Sequence, residues 1–202
     1  MAFKSLLRAK ILEVLASWPA ADQYAIMFLI YPNEAYEYRG YSNLPEFSML
    51  YRCESDVEAN RKMFEERWNP AFWYDGLETP IIRFDEPNPV ADALIDWYEA
   101  SGVQQIGEED PNAMYDSHGL YIGKGPNGLP ELLQVVAELA NELQRDGTIE
   151  AKFGRRLPII LADLEFTWYM IKATHDANPN GEADEYVRAC VQNSLISDAQ
   201  LE

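Results

Sequence analysis

Cysteine is nearly absent. Cys53 and Cys190 are the two in 202 residues. They fall in no CxxC or metal-ligand spacing, which argues against a disulfide framework and a zinc site, so two reduced thiols are expected. Histidine is as scarce, with His118 after Asp116-Ser117 and His175 before Asp176. No HExxH occurs, and no G-x-S-x-G turn presents a nucleophile. Both histidines therefore read first as structural. Long apolar runs are missing too. The longest, Tyr24–Tyr31, is far short of the ~20 residues of a membrane span. Lys4, Arg8, Lys10 and Glu13 interrupt any signal-peptide pattern. A soluble, cytoplasmic chain is expected.

Positive charge is the next scarcity. The chain has 16 Lys and Arg against 34 Asp and Glu, a formal charge of −18. Such a chain repels nucleic acid and anionic membranes, and attracts basic partners. The shortage is sharpest between Arg83 and Lys124, where neither Lys nor Arg occurs. That stretch carries Asp85, Glu86, Asp92, Asp96, Glu99, Glu108, Glu109, Asp110 and Asp116. One reading is a solvated face that aids solubility. The other is a docking surface for a cationic partner. On a helix, Asp92, Asp96 and Glu99 lie at i, i+4 and i+7 and so share a face.

What is present is a core. Hydrophobic residues make up 48% and aromatics 12%, as in a globular domain. A chain of this size buries roughly 70% of its unfolded surface. One domain, residues 1–202, is expected. Phe3, Leu7, Ile11, Val14, Leu15 and Trp18 trace a helix that Pro19 ends. Gln23–Tyr31 is apolar without alternation, a strand buried on both faces. Glu34–Tyr41 alternates tyrosines with charge and predicts a hairpin partner. Phe47–Cys53, Trp68–Tyr74 and Pro80–Phe84 read as further strands, with a charged helix from Ser55 or Asp56 through Glu66. Helices follow at Val90–Ala100 and after Gly128, then a basic loop over Lys152–Arg156 and a strand at Leu157–Leu161. Helices at Ala162–Ala177, with Leu161, Leu164, Trp168, Ile171 and His175 on one stripe, and at Glu182–Leu195 close the chain. Strands early and helices late predict an α+β fold: a mainly antiparallel sheet of about four to six strands, with helices on one face.

The strongest helix follows Gly123-Lys124-Gly125-Pro126-Asn127-Gly128. Leu129, Leu132, Leu133, Val136, Ala140 and Leu143 form its apolar stripe. The loop is formally G-x-G-x-x-G. A dinucleotide site would need a strand before it and a second strand with its acid after the helix. Here the lead-in is only Leu120-Tyr121-Ile122, and Pro126 removes a donor. A tight turn is the first reading and a nucleotide site the alternative. No cofactor and no metal are expected. The Trp68–Tyr74 aromatics suit a core or edge strand better than base stacking, given the charge. A mimic of DNA would share the acidity but would not need so large an aromatic core.

Several stretches together resemble one uncharacterised bacterial stand-alone domain family. They are Glu66–Trp73, Pro80–Ile82, Tyr121–Gly128 with its helix, and Pro158–Ile160 through Ala177-Asn178-Pro179. The likeness covers Glu66–Asn180; the N-terminal part matches only as helix then strand. Relatives of that type are similar to immunity proteins of polymorphic toxin systems. The resemblance implies a non-enzymatic protein that binds a cognate, basic toxin, and it carries over no catalytic residue.

Overall fold

A computed structural model describes residues 2–56, 64–73, 78–110, 114–115, 117 and 122–201. In chain order its helices are α1 (Phe3–Ser17), α2 (Phe64–Trp68), α3 (Pro89–Ser101), α4 (Leu129–Arg145), α5 (Thr148–Phe153), α6 (Trp168–Ala177), α7 (Asp184–Gln192) and α8 (Asp198–Leu201). The strands are β1 (Gln23–Asn33), β2 (Leu44–Cys53), β3 (Thr79–Ile82) and β4 (Ile159–Ala162), in the sheet order β3-β2-β1-β4. Both β1–β2 and β2–β3 are antiparallel, whereas β4 runs parallel to β1. The fold is α+β.

Side chains alternate across the sheet. Ile26, Phe28, Ile30, Phe47, Met49, Ile159 and Leu161 face one core, built with α1, α3, α4 and α5. Met27, Leu29, Leu50, Ile160 and Ala162 face the other, under Trp68, Trp73, Tyr186, Val187 and Cys190. The sheet is thus covered on both faces, not on one as the order of elements predicts. The physical reason lies in β1 itself, whose first eight residues are all buried. An unalternating apolar strand needs cover on each side.

Arg67 fastens the second layer. Its guanidinium lies 4.3 Å from the Tyr24 ring centroid and pairs with Glu54 and Glu185, each at 3.1 Å. Its carbonyl accepts the Tyr24 hydroxyl at 2.7 Å and the Trp73 indole N–H at 3.1 Å.

The free edge of β4 is closed by side chains. Thr174 Oγ1 accepts from Leu161 N at 2.9 Å and donates to Leu161 O at 3.1 Å. Asn178 Oδ1 accepts from Ile159 N at 3.0 Å, and its Nδ2 donates to Ile159 O at 2.8 Å. Four helical residues rise ~6 Å and two strand residues ~6.6 Å. That near-match lets one helix turn replace a strand. Gln144 of α4 joins this network, donating to Asn178 Oδ1 at 3.0 Å and to Leu157 O at 2.8 Å.

Several sequence expectations change. Glu34–Tyr41 is no strand; it lies in the β1–β2 loop with one isolated Tyr38–Tyr41 bridge. Arg39 and Gly40 both adopt positive φ there, which an extended strand forbids. Trp68 ends α2, and Pro70–Phe72 forms a 3-10 turn capped by Asn69, so this stretch is not a strand either; Tyr74 lies outside the described residues. Of the charged helix, Glu54–Asp56 is a 3-10 turn and residues 57–63 lie outside the described set. Lys152 belongs to α5 rather than to a loop. Helix α6 starts at Trp168, because Asp163 accepts from Glu165 N at 2.7 Å and turns the chain first. Leu164 and His175 are exposed, and Tyr169, Met170, Ile171, Thr174 and Ala177 form the buried stripe.

Candidate functional site

The acidic stretch is organised by α3. Asn88 caps it, accepting from Val90 N at 2.9 Å and Ala91 N at 3.1 Å, and donates to Ile81 O at 3.1 Å. The helix start is thereby tied to β3. Pro89 suits the first turn. Gly102, at φ 75°, ends the helix. Val90, Ala91, Leu94, Ile95 and Tyr98 are buried, and Trp97 stacks on Phe3 at 5.3 Å. That packing turns Asp92, Asp96 and Glu99 outward together, and all three are exposed.

The β1–β2 loop lies along this row. Tyr38 Oη donates to Asp92 Oδ1 at 2.8 Å, Arg39 Nη1 to Asp96 Oδ1 at 2.6 Å, and Tyr41 Oη to Glu99 Oε1 at 3.2 Å. Arg39 Nη2 also lies 3.6 Å from Glu99 Oε2. The hydrogen bond that Arg39 donates to Asp96 raises its guanidinium above its usual value. Burial and the Asp92 bond raise the Tyr38 phenol, and burial and Glu99 raise Tyr41. Sequence reasoning found the carboxylates and missed their neighbours. The available signal was three tyrosines and an arginine in one loop, which alternate as a strand would.

The remaining residues of the stretch flank this row. Asp85 pairs with Arg83 at 2.5 Å, and Glu86 is exposed. Glu108 and Asp110 are exposed and Glu109 is half-buried. Their loop is pinned by Gly107 N to Asn127 O at 2.9 Å and Asn127 N to Glu108 O at 2.8 Å. It runs against Ser42: a Cβ on Gly107 would sit 1.9 Å from the Ser42 carbonyl oxygen. Asp116 lies outside the described residues, as does His118.

The glycine loop engages its own donors. Ile122 N and Gly123 N donate to Met114 O, Asn127 N to Glu108 O, and Leu129 N to Pro126 O. Gly128 N donates to the Glu131 carboxylate at 2.9 Å, so an acidic side chain occupies the start of α4. Tyr98 Oη donates to Gly128 O at 2.6 Å. Lys124 Nζ sits 5.6 Å from the Trp168 ring centroid, at a groove of about 650 Å3 between α4 and α6. Leu133, Ala137 and Ala173 line the groove, with Glu138, Glu142 and Asp176 among its polar residues. Lys4 holds Glu138 at 2.8 Å and Glu142 at 3.0 Å. Its hydrogen bond lowers the Glu138 carboxyl despite partial burial.

Two titratable groups lie deeper. Asp163, at the end of β4, is buried and accepts from Glu165 N, Thr167 Oγ1 at 3.0 Å and Tyr169 Oη at 3.1 Å. Burial raises its carboxyl above the ordinary value against those bonds. Burial pushes the Cys190 thiol up to about 12, and neither Cys190 nor Cys53 is in a disulfide among the described residues. Among the described residues, no group of three His, Cys, Asp or Glu could hold a metal ion, and no helix is long and apolar enough to cross a membrane. No family model, curated protein or solved structure matches the chain.

Proposed function

We propose that the protein is a non-enzymatic interaction protein that binds a basic protein partner through the acidic surface of α3 and its flanking loops. The reading extends to an immunity protein that neutralises a cognate toxin in the cytoplasm, as the resemblance implies. The observation that carries it is the outward row of α3, where Asp96 and Glu99 pair with Arg39 and Asp92 accepts from the neutral Tyr38 hydroxyl, so that among the described residues three carboxylates meet one guanidinium. Exposed Glu86 and Glu108 add charge with no ion pair among the described residues. A surface of excess negative potential speeds the approach of a cationic protein and rejects wrong partners.

The alternative is a small nucleotide binder or enzyme using Gly123–Gly128. Lys124 beside the groove favours it. The engaged N–H groups and the groove's carboxylates weigh against it, because both oppose phosphate.

The test is the association rate against salt, with the neighbouring gene's product as partner. Glu86→Lys with Glu108→Lys should slow association several-fold, and wild-type association should weaken as salt screens the charges. Arg39→Ala should speed it, by removing the cation that pairs with Asp96 and Glu99 on the α3 row. Equal rates and a flat salt response overturn the reading. Calorimetry with ATP and NAD tests the alternative: micromolar binding lost in Gly125→Val would favour it.

A further inference from the structure

Arg67 holds α2 over one part of the sheet's second face. A cleft of about 240 Å3 lies elsewhere on the sheet, among Tyr31, Glu46, Ser48, Glu78, Pro80 and Arg83. Glu46 and Ser48 alternate in β2 with Phe47 and Met49, so they point away from the first core. Polar residues thus stand where the same face elsewhere carries Leu50 and Met27.

The residues that carry these groups are nearly covered, and their polar atoms open onto the cleft. Glu46 is 7% exposed and Ser48 3%. The Ser48 hydroxyl opens onto the cleft and has no hydrogen-bond partner among the described residues. Glu46 Oε2 accepts only a long bond from Tyr31 Oη, at 3.3 Å, and Oε1 has no partner among the described residues. Glu78 is half-buried, also without a partner among them. The cleft's own cation, Arg83, is held by Asp85 at 2.5 Å. Two carboxylates and a hydroxyl therefore face a small volume, and among the described lining residues its one cation, Arg83, pairs with Asp85 and feels Glu46 only at a distance.

We propose that this cleft takes the cationic head of one arginine or lysine side chain from a basic partner protein. A buried carboxylate is costly until a charge pairs with it. A guanidinium or ammonium offers several donors and no acceptor, matching the open acceptors of Glu46, Glu78 and Ser48. Whole-ligand pockets span roughly 300–1,000 Å3, so the volume suits a side-chain head rather than a complete metabolite. The proposal rests on the acidic-interaction reading and deepens it: Asp85, which holds Arg83, begins the acidic stretch.

The test uses the full chain, 15N-labelled, titrated with blocked arginine amide and blocked lysine amide, with blocked glutamate amide as control. Saturable shifts are expected at the amides of Glu46, Ser48 and Glu78, with a Kd on the order of millimolar for so small a ligand. Glu46→Gln should weaken binding about tenfold, the scale of a charge-assisted bond. Glu78→Gln should weaken it less and, at a half-buried position, carries the test if Glu46→Gln does not fold. No saturable shift, equal shifts with the glutamate control, or binding unchanged in both variants overturns the proposal. Glu86 and Glu108 do not line this cleft, and Glu108→Lys measured alone reads the acidic face without the charge that Glu86 places near Arg83. A silent cleft beside salt-dependent association sinks the cleft alone, and a flat salt response beside Glu46-dependent binding sinks the acidic face alone.

Discussion

Replacing Asn178 with alanine tests how β4 is held. The side chain makes four hydrogen bonds: to Ile159 N and O, to Gln144 Nε2 and to Thr174 O. Asn178 is 5% exposed and Ile159 0%, so water does not readily take over. Truncation orphans the Ile159 N–H and C=O and removes one of two acceptors from Gln144, which keeps Leu157 O. Each buried group left unsatisfied costs ~1–3 kcal/mol. Two full orphans and one partial one give a loss of about 3–5 kcal/mol, a large share of the ~5–15 kcal/mol typical of a domain. At ~2–4 °C per kcal/mol for this chain length, Tm should fall roughly 6–20 °C.

The assay is urea unfolding followed by tryptophan fluorescence and far-UV circular dichroism together. The midpoint should drop with the slope unchanged, since the native surface is nearly the same. Amide exchange adds a local readout. Ile159 N–H should lose protection in Asn178→Ala, while Leu161 N–H, still held by Thr174, should keep it beyond the global change. A loss under ~1 kcal/mol, or equal deprotection of both amides, refutes the edge-closing role.

Two further perturbations probe single features. The Asp163 carboxyl is raised by burial, so between its ordinary value and the raised one the folded state binds more protons than the unfolded chain. Stability from this group therefore falls as pH rises through that window. Asp163→Asn removes the dependence, so the wild type should lose urea midpoint relative to the variant on leaving acid pH; a difference that stays constant from acid to neutral pH refutes the shift. Gly128 has φ 102°, and a Cβ there would meet the Tyr98 ring at 3.1 Å. Gly128→Ala should cost about 2 kcal/mol from backbone strain alone, read by thermal unfolding; a neutral variant would mean that the loop relaxes freely.

Much of the fold was legible because apolar periodicity is local. The stripes of α1 and α4 and the unbroken run of β1 each follow from residues a few positions apart. The acidic row of α3 was legible for the same reason. Its covering loop was not, because Tyr38, Arg39 and Tyr41 find partners 54, 57 and 58 residues away. A strand-like alternation then reads as a strand. Trp68–Phe72 misled in a related way: aromatic residues favour strands, but Asn69 and Pro70 supply a local cap and turn that outweigh the preference. Thr174 and Asn178 look like ordinary helix-end polar residues. Their role depends on a strand edge that exists only once β4 has joined β1. Glu46 and Ser48 likewise pass as the solvent face of a strand until burial shows otherwise.

The closed edge of β4 has a consequence for how the surface can diverge. Main-chain pairing with an added strand would be nearly blind to sequence, since every residue offers the same N–H and C=O. Thr174 and Asn178 deny that mode at β4. The edge strand on the other side, β3, has four residues, and Pro80 among them has no N–H to give. The vocabulary left to the docking face proposed on α3 is one of side chains: carboxylates on a helix anchored from beneath by Leu94, Ile95 and Tyr98. Such a vocabulary can be rewritten a letter at a time. Exchanging one exposed acid redraws the charge pattern while the buried stripe, the cap and the sheet stay as they are.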